Sequence, residues 1–336
     1  MARIEGKMTV LFTSAGRRVE LLRAFRRAYH TLGVHGKIIA ADMDPLAAAL
    51  QVADCRYVVP PLTSTEYLPA LVDICRRDRV DLVFPLIDPD ISVLASHRDV
   101  IEATGARLAV VSRQAAAVAE DKLLTLEFFR RLGLSIPSTW LAGDLDSANA
   151  PYPLFVKPRR GSAGKHCFPA ANPNDLEFLV RYVPDPIVQE YLPGPEITTD
   201  VVCSLDGELL GLVSRQRIEV RSGEASKAVT IYDRAIAEAC VRIAQALPAI
   251  GPITVQCIMK SGVPHFTEIN ARFGGGVPLG IAAGVDSPRW LLAKAAGLPV
   301  EIPPVGNYRT GLYMTRFDDS FFIDEADHDK MGGHSL

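Results

Sequence analysis

The segment over residues 266–276 carries the side chains best suited to chemistry in this chain of 336 residues. Glu268 and Asn270 lie two positions apart, so on a strand their side chains would point to the same side and could bind divalent cations together. Arg272 continues that row with a fixed positive charge, which suits phosphate oxygens or an acyl phosphate. An alternating edge strand that ends in a glycine turn explains the same residues, and this segment alone does not decide between the two.

A lysine and a glycine loop further upstream favour the chemical interpretation. Lys157 ends an apolar run, and a glycine loop with free backbone N–H groups, which can hold and cover a polyphosphate, follows it. Lys122 begins a predicted helix, where a positive charge opposes the helix dipole, so a role outside helix stability is suggested. A surface hairpin and a solvated lysine are the alternatives. The loop residues are Gly161, Ser162, Ala163 and Gly164.

A stretch that ends in a proline turn could bind a nucleoside. Its backbone groups could meet the edge of a base, and Glu196 could accept hydrogen bonds from ribose hydroxyls. The alternative is an ordinary strand that ends in that turn. The backbone groups that would meet the base belong to Gln189, Glu190, Tyr191 and Leu192.

The first third of the chain alternates short apolar runs with helical segments, which is typical of a parallel sheet covered by helices. Ligands are expected at the carboxyl ends of its strands, which carry the loops 14–18, 42–45 and 88–90. Asp44 and Asp88 are also ordinary turn or helix-start residues. We predict strands over 9–12, 37–41, 82–86 and 108–111, and a helix over 19–32.

The rest of the chain has a different pattern. Asp206-Gly207 and Ser261-Gly262 each separate two strand-like runs and predict tight hairpin turns, so antiparallel sheets with helices are expected. Helices are predicted over 121–132, 175–182 and 232–247, and strands over 154–157 and 187–192. We therefore predict an α/β domain over 8–117, a central subdomain with the glycine loop over 118–188, a C-terminal subdomain over 189–323, a poorly ordered tail over 324–336 and a flexible leader over 1–7.

Composition excludes several classes of function. The 36 basic and 39 acidic residues give a net charge of −3, so no overall field attracts nucleic acid or an anionic membrane. The six cysteines form no CxxC pair, which argues against a zinc site or a disulfide framework. No signal peptide or membrane helix is evident, so we expect a cytoplasmic protein that acts on small molecules.

Taken in order, these segments resemble the ATP-grasp superfamily over essentially the whole chain, and more narrowly its carboxylate-amine ligases and the synthetase halves of carbamoyl phosphate synthase. The resemblance implies an ATP-grasp fold, of α/β and α+β class, behind an N-terminal Rossmann-like pre-ATP-grasp domain. It also implies ATP and two Mg²⁺ ions, for which Mn²⁺ can substitute, and a homodimer as the expected assembly.

The resemblance assigns roles to individual residues. Lys122 and Lys157 match the phosphate-binding lysines, residues 161–164 the closing loop, residues 189–192 the adenine linker and Glu196 the ribose ligand. Arg272 matches the arginine that stabilises the transferred phosphoryl group, and together with Lys157 it is the predicted catalytic pair. The residues that match the magnesium positions are Gln256, Glu268 and Asn270.

This chain departs from the family pattern at two positions. Gln256 stands where many members carry a carboxylate, although the carbamoyl phosphate synthase type also uses glutamine there. Glu190 stands where a lysine is common, which leaves open whether Gln189 or Glu190 faces the base.

The implied reaction activates a carboxylate as an acyl phosphate and joins it to an amine, with release of ADP and phosphate. The resemblance implies that this amine belongs to an amino acid. Bicarbonate-dependent carbamoyl phosphate chemistry and a non-catalytic ATP-binding protein are the alternatives. For the acceptor pocket we predict contributions from the loops 14–18 and 88–90, while a solvated basic loop explains the basic residues equally well. The basic residues considered are Arg215, Arg217, Arg221 and Lys227, and the residues chosen for substrate contact are Arg217, Lys227 and Gly275.

Overall fold

The computed structural model describes residues 7–162, 164–221 and 223–332. The predicted leader, apart from Lys7, lies outside these residues, as do the predicted role of Ala163 and the end of the predicted tail, 333–336. Where poor order was predicted from residue 324 onward, the structure has a helix over Glu325–Gly332.

The N-terminal part forms a parallel sheet, as its apolar runs predicted. Its elements are β1 (Val10–Thr13), α1 (Val19–Leu32), β2 (Ile38–Asp42), a 3-10 helix (Ala48–Val52), β3 (Cys55–Val58), α2 (Tyr67–Asp78), β4 (Leu82–Pro85), α3 (Asp88–Ser96), α4 (Arg98–Glu102), β5 (Arg107–Leu108) and α5 (Arg113–Glu120). The strand order is β3-β2-β1-β4-β5, and every pairing is parallel.

Burial explains which of these strands the sequence predicted. Strands β1, β2 and β4 are buried at every position, because helices cover both faces of a parallel sheet. The edge strand β3 is only partly buried and contains Arg56, so it carries no apolar run and was not predicted. Strand β5 is shorter than the predicted strand over 108–111.

A small antiparallel sheet follows. It is built from α6 (Lys122–Arg131), β6 (Thr139–Leu141), a 3-10 helix (Ala142–Asp144), β7 (Leu154–Pro158), β8 (Phe168–Ala170), α7 (Pro173–Tyr182) and β9 (Pro186–Glu190). The strand order is β6-β9-β7-β8. The predicted boundary between residues 188 and 189 falls inside β9, and the domain limits stay a prediction.

The C-terminal part is a larger antiparallel sheet with helices. Its elements are β10 (Glu196–Cys203), β11 (Leu209–Arg221), β12 (Glu224–Ile231), α8 (Arg234–Ala246), β13 (Pro252–Lys260), β14 (Val263–Asn270), α9 (Val277–Ala282), α10 (Ser287–Ala296), β15 (Tyr313–Thr315) and α11 (Glu325–Gly332). The order is β14-β13-β10-β11-β12-β15. The β10–β11 and β13–β14 hairpins turn at Gly207 and Gly262, which have positive φ angles of 85° and 79°.

An aromatic cluster fixes the segment after β14 against the N-terminal part. The Phe273 ring lies 6.0 Å from that of Phe25 on α1 and 5.6 Å from that of Phe84 on β4, measured between ring centroids. All three side chains are buried, so large apolar surfaces hold this segment in place. Because Arg272 directly precedes Phe273, the cluster also determines where Arg272 can lie.

Two further observations concern the whole of the described chain. All six cysteines, each in a described segment, are free thiols, and Cys75, Cys203, Cys240 and Cys257 are buried. In residues 7–162, 164–221 and 223–332, the helices are all too short or too polar to cross a membrane.

Candidate functional site

The predicted metal residues lie on two neighbouring strands of the larger sheet. Strand β14 carries Glu268 and Asn270 at alternate positions, and in register β13 places Gln256 opposite Glu268. All three side chains line one cavity of about 780 Å³. The Gln256 Nε2 atom donates to Glu196 Oε1 at 3.1 Å, so the amide oxygen of Gln256 is the atom that could meet a cation.

These oxygen donors fit Mg²⁺, which takes few protein ligands and completes its shell with phosphates and water. Within the part of the chain that the structure describes, no three or more His, Cys, Asp and Glu side chains gather into a metal-binding group. Glu268 is therefore the one charged member of the predicted set, and a Mg²⁺ ion held here needs phosphate oxygens as further ligands.

Two lysines from different elements converge on Glu268. Lys122, the first residue of α6, donates its Nζ to the Gly161 carbonyl at 2.8 Å and lies 3.6 Å from Glu268 Oε1. Lys157 on β7 is buried, and burial lowers its pKa, with a smaller opposing effect from Glu268 and a further lowering by Lys122. A buried cation whose charge is only partly compensated is suited to bind an anion.

The glycine loop begins beside these lysines. Gly161, Ser162 and Gly164 line the cavity, and Gly161 and Gly164 have positive φ angles of 133° and 66°, which favour glycine. The preceding Arg159 and Arg160 bind Asp121, at 2.7 Å and 3.0 Å between nitrogen and carboxylate oxygen. These two arginines anchor the loop to the start of α6.

The predicted adenine linker also lines the cavity, through Gln189, Glu190, Tyr191 and Leu192. Gln189 Nε2 donates to Thr139 Oγ1 at 2.8 Å, and the Glu190 carboxylate accepts from Lys260 Nζ at 3.1 Å. Protein contacts therefore hold both side chains between which the sequence left the choice open. A base bound here would meet the backbone of the linker.

The predicted ribose ligand is tied to a residue that we had placed in the acceptor pocket. Arg217 Nη1 donates to Glu196 Oε1, and Arg217 Nη2 donates to the Gly223 carbonyl at 3.1 Å. Because β10 and β11 are neighbours, these residues meet across the sheet. Arg217 thus lies beside the predicted ribose ligand, a position that favours a role near the nucleotide over the predicted contact with the acceptor.

Lys227 is also placed differently from the prediction. Its Nζ binds Glu219 Oε2 at 2.7 Å across the β11–β12 hairpin, where both side chains are 52% exposed. It lies outside the lining of the cavity, and this exposed position favours the solvated alternative for this lysine. Arg221 is likewise exposed and binds Asp318.

Arg272 is held at the junction of the sheets. Its Nη2 donates to Asp88 Oδ2 at 2.5 Å and to Asn270 Oδ1 at 3.3 Å, while Nη1 donates to the Phe273 carbonyl at 3.1 Å. Its Nε is buried without a hydrogen-bond partner. Asp88, the first residue of α3, therefore also orients the predicted catalytic arginine, beyond its ordinary place at a helix start.

The three glycines after Arg272 allow close packing over a buried ion pair. Arg215 and Asp200 are 3% and 6% exposed and bind each other across β10 and β11. A Cβ atom added at Gly274 would lie 2.6 Å from Asp200 Oδ1, and one at Gly276 would lie 2.7 Å from Arg215 Cζ. Arg215 thus supports the glycine segment. Gly275 lines the cavity as predicted, with no room for a Cβ atom beside Glu224.

The sequence did not single out two charged residues beside Gly275. Glu224, at the start of β12, binds Arg316 at 2.6 Å and Arg18 at 3.2 Å. Glu224 and Arg316 stand in segments without a recognisable motif, so only the fold brings them together. The one signal in the sequence was the loop 14–18, whose Arg17 and Arg18 line the cavity.

Comparison with protein families gives matches to two separate stretches of the chain. Residues 10–109 match the model of the PylC-like N-terminal domain. Residues 182–317 match a model described as ATP-grasp in the biosynthetic pathway with Ter operon.

Several curated proteins are similar in sequence. A putative D-alanine–D-lactate ligase from Streptomyces coelicolor is 27% identical over 171 residues, which cover 48% of this chain and 49% of the ligase. The carbamoyl phosphate synthase large chain from Thermomicrobium roseum is 24% identical over 312 residues, which cover 82% of this chain and 26% of the large chain. The chain thus spans about half of the first relative and about a quarter of the second.

Solved structures show the same fold at low sequence identity. N5-carboxyaminoimidazole synthetase from Staphylococcus aureus, complexed with ADP, gives a TM-score of 0.70 at 17% identity, covering 92% of this chain and 81% of that one. The biotin carboxylase domain dimer of Hydrogenobacter thermophilus 2-oxoglutarate carboxylase, in complex with MgADP, ADP and bicarbonate, also gives 0.70, at 16% identity and with coverage of 90% and 73%.

These findings confirm the predicted resemblance to the ATP-grasp superfamily and the predicted fold class. The protein has an ATP-grasp fold. More narrowly, one stretch of the chain matches a PylC-like N-terminal domain and another matches an ATP-grasp domain, and the curated relatives carry the names of ligases and of carbamoyl phosphate synthase.

Proposed function

We propose that the protein is an ATP-dependent ligase that activates a carboxylate as an acyl phosphate and joins it to an amine, with release of ADP and phosphate. One observation carries the proposal: Lys122, Lys157, Glu268 and Arg272, which are far apart in the sequence, line a single cavity. The names of the relatives and the ADP bound in a similar structure support it.

In the proposed complex, the triphosphate of ATP lies between Lys122 and Lys157 under the glycine loop, and Glu196 accepts hydrogen bonds from the ribose. Glu268, Asn270 and the amide oxygen of Gln256 would hold Mg²⁺, which neutralises phosphate charge when it is bound. Two ions are proposed, on the family pattern.

The protein groups have to bring two anions together. In the proposed reaction a carboxylate oxygen attacks the γ-phosphorus and ADP leaves, after which an amine attacks the acyl carbon and phosphate leaves. Arg272 faces the transferred phosphoryl group, and Asp88 fixes its guanidinium, so the positive charge is in place before the reaction begins. The glycine loop excludes water, which would hydrolyse the acyl phosphate.

A substrate panel tests the proposal. Release of ADP and phosphate is measured with Mg-ATP and each of a set of carboxylates and amino acids. The Glu268→Ala variant serves as the blank, and Lys227→Ala serves as the matched control for Lys157→Ala, because Lys227 lies outside the cavity. We expect release that depends on a carboxylate and an amine, that is lost in Glu268→Ala and Lys157→Ala, and that persists in Lys227→Ala.

Other outcomes point to the alternatives. Release that depends on bicarbonate alone would indicate carbamoyl phosphate chemistry, and tight ATP binding with no release on any substrate would indicate a non-catalytic ATP-binding protein. A homodimer stays a prediction that sedimentation can test.

A further inference from the structure

A cluster of arginine side chains, of which Arg272 is one, surrounds two carboxylates at the wall of the cavity. We define it as Arg17, Arg18, Arg272 and Arg316, which surround the carboxylates of Asp88 and Glu224. The charged groups that act on Arg18 include Arg272, Arg316 and these two carboxylates. Arg17, Arg18 and Arg272 line the cavity, and Arg316 adjoins it through a hydrogen bond to the carbonyl of the lining residue Gly275. The four guanidiniums and two carboxylates leave a formal excess of two positive charges here.

The cluster has more hydrogen-bond donors than its own carboxylates can accept. Glu224 is shared among three guanidiniums, with nitrogen–oxygen distances of 2.6 Å to Arg316, 3.2 Å to Arg18 and 3.8 Å to Arg17. Arg18 Nη1 lies within ion-pair distance of Glu224 but makes no hydrogen bond, and Arg272 Nε is buried without a hydrogen-bond partner. Such donors are costly to leave unpaired, so they favour a ligand that accepts from them.

Electrostatics supports the same interpretation. Burial, together with Arg272 and Arg316, lowers the pKa of Arg18 to about 10, against the opposing effect of Glu224. Burial alone would raise the pKa of Glu224, yet Arg18 and Arg316 hold it below its ordinary value. Arg18 therefore stays charged near neutral pH, in a buried position where an additional negative charge would stabilise it.

The loop that presents Arg17 and Arg18 is fixed before any ligand binds. Ser14 has a positive φ angle of 48°, and its hydroxyl donates to the buried Asp90 at 2.9 Å. The Gly16 N–H donates to Asp42 Oδ2 at 2.7 Å. A guanidinium on a fixed backbone loses less freedom on binding than one on a mobile loop, so binding costs less entropy.

We propose that the carboxylate substrate carries a second anionic group, which Arg17, Arg18 and Arg316 bind while Arg272 faces the carboxylate that is activated. This inference rests on the proposed ligase function and names the class of its substrate. A cationic substrate group on Glu224 is disfavoured, because three guanidiniums already surround that carboxylate. A carboxylate and a phosphate offer the same oxyanion chemistry, so both are substrates to test.

Matched probes separate the second charge from the rest of the ligand. Binding to the full-length protein is measured by calorimetry, without ATP, for L-glutamate against L-glutamine and for O-phospho-L-serine against L-serine, with L-lysine as a cationic probe. L-glutamate and O-phospho-L-serine each carry a second anionic group in the side chain and are called the dianionic probes; L-glutamine and L-serine are their neutral partners. We expect each dianionic probe to bind at least about tenfold more tightly than its neutral partner, since charge-assisted hydrogen bonds are strong. The tighter of the two dianionic probes identifies carboxylate or phosphate as the second group.

Single substitutions assign the effect to the cluster. Arg17→Gln and Arg316→Gln should each weaken the binding of the preferred dianionic probe about tenfold and leave its neutral partner unchanged. Arg234→Gln, an exposed arginine on α8 paired with Glu238, is the matched control and should change neither. Retained ATP binding shows that each variant is folded.

The result that would overturn the inference is equal binding within both pairs, no binding of any probe, or a preference for L-lysine, which would make Glu224 an ammonium ligand. Failure of the proposed function looks different: the dianionic probes would bind selectively while no substrate supports release of ADP. Conversely, release of ADP with no preference for a second anionic group would leave the ligase proposal standing and remove this inference.

Discussion

The two ends of the cavity are built in different ways. At the nucleotide end, Lys157 and the glycine loop follow one another in the sequence, and Glu268 and Asn270 are two positions apart. At the acceptor end, Glu224 and its partner Arg316 are 92 residues apart, and Arg18 lies in the loop between β1 and α1 of the N-terminal part. The nucleotide end is therefore recognisable as motifs, whereas tertiary structure alone assembles the acceptor end.

This difference has a chemical meaning. A triphosphate is the same in every ATP-dependent enzyme, so local segments can be arranged around it in a constant order. The acceptor differs from one ligase to another, and the groups that contact it can come from any element that reaches the cavity. Arg272 belongs to both ends, because it follows β14, which carries the predicted metal ligands, and binds Asp88, the first residue of α3 in the N-terminal part.

Substitution of Arg272, the residue that both ends of the cavity share, should have the largest effect. Arg272→Ala should lower kcat about 10²–10³-fold, because it removes a fixed charge that faces the transferred phosphoryl group. The dissociation constant of ATP should change little. Steady-state kinetics and calorimetry on the same preparation measure both quantities. A large loss of ATP affinity with an unchanged kcat would place Arg272 at the nucleotide end alone.

The packing of the three glycines after Arg272 against the buried Arg215–Asp200 ion pair should also be sensitive to substitution. Gly276→Ala should lower the free energy of unfolding by about 1–3 kcal/mol, because its Cβ atom would lie 2.7 Å from Arg215 Cζ in a buried ion pair. Urea denaturation measures the change. Gly143→Ala is the control, since a Cβ atom there meets nothing within 4 Å. Equal stability of the two variants would show that the segment has room to adjust.

Substitution of Arg217 tests whether this residue acts at the nucleotide, where it contacts Glu196. Arg217→Ala should raise the KM of ATP about tenfold and leave that of the carboxylate unchanged, because it removes a charged partner of Glu196. Initial-rate kinetics with each substrate varied in turn measure this. A rise in the KM of the carboxylate alone would restore our sequence-based prediction that Arg217 contacts the acceptor.

A smaller effect should appear in the pH dependence of nucleotide binding. Burial lowers the pKa of Lys157 below its ordinary 10.5, and triphosphate oxygens would raise it again, so ATP binding takes up a proton between those two pKa values. Affinity should therefore fall as the pH rises through the lowered pKa. Calorimetry in buffers with different ionisation enthalpies measures up to about one proton per ATP. Lys157→Arg should abolish the uptake, and persistent uptake in that variant would assign the proton to another group.

Much of the fold could be predicted because apolar periodicity reports burial directly. Helix α1 has the predicted limits, and the fully buried strands β1, β2 and β4 were all found. The edge strand β3 and the helix α11 were missed, since neither shows a continuous apolar pattern.

The predictions for the site differ between the two ends of the cavity. Residues of the nucleotide end lie together as expected, although their roles stay predictions. For the acceptor pocket, the sequence pointed to the loop 14–18, whose Arg17 and Arg18 line the cavity, and also to Arg217 and Lys227. Basic residues along β11 and β12 look alike in sequence, and only the strand pairing shows that one meets Glu196 while the other meets Glu219.

We propose above all that Lys122, Lys157 and Arg272, which are far apart in the sequence, contact the phosphates of one bound ATP. A crystal structure with Mg²⁺ and a non-hydrolysable ATP analogue tests it most directly. The account predicts phosphate oxygens within hydrogen-bond distance of Lys122, Lys157 and Arg272, with Glu268 on the metal. A nucleotide bound in another part of the protein, or phosphates that contact none of these three side chains, would contradict it.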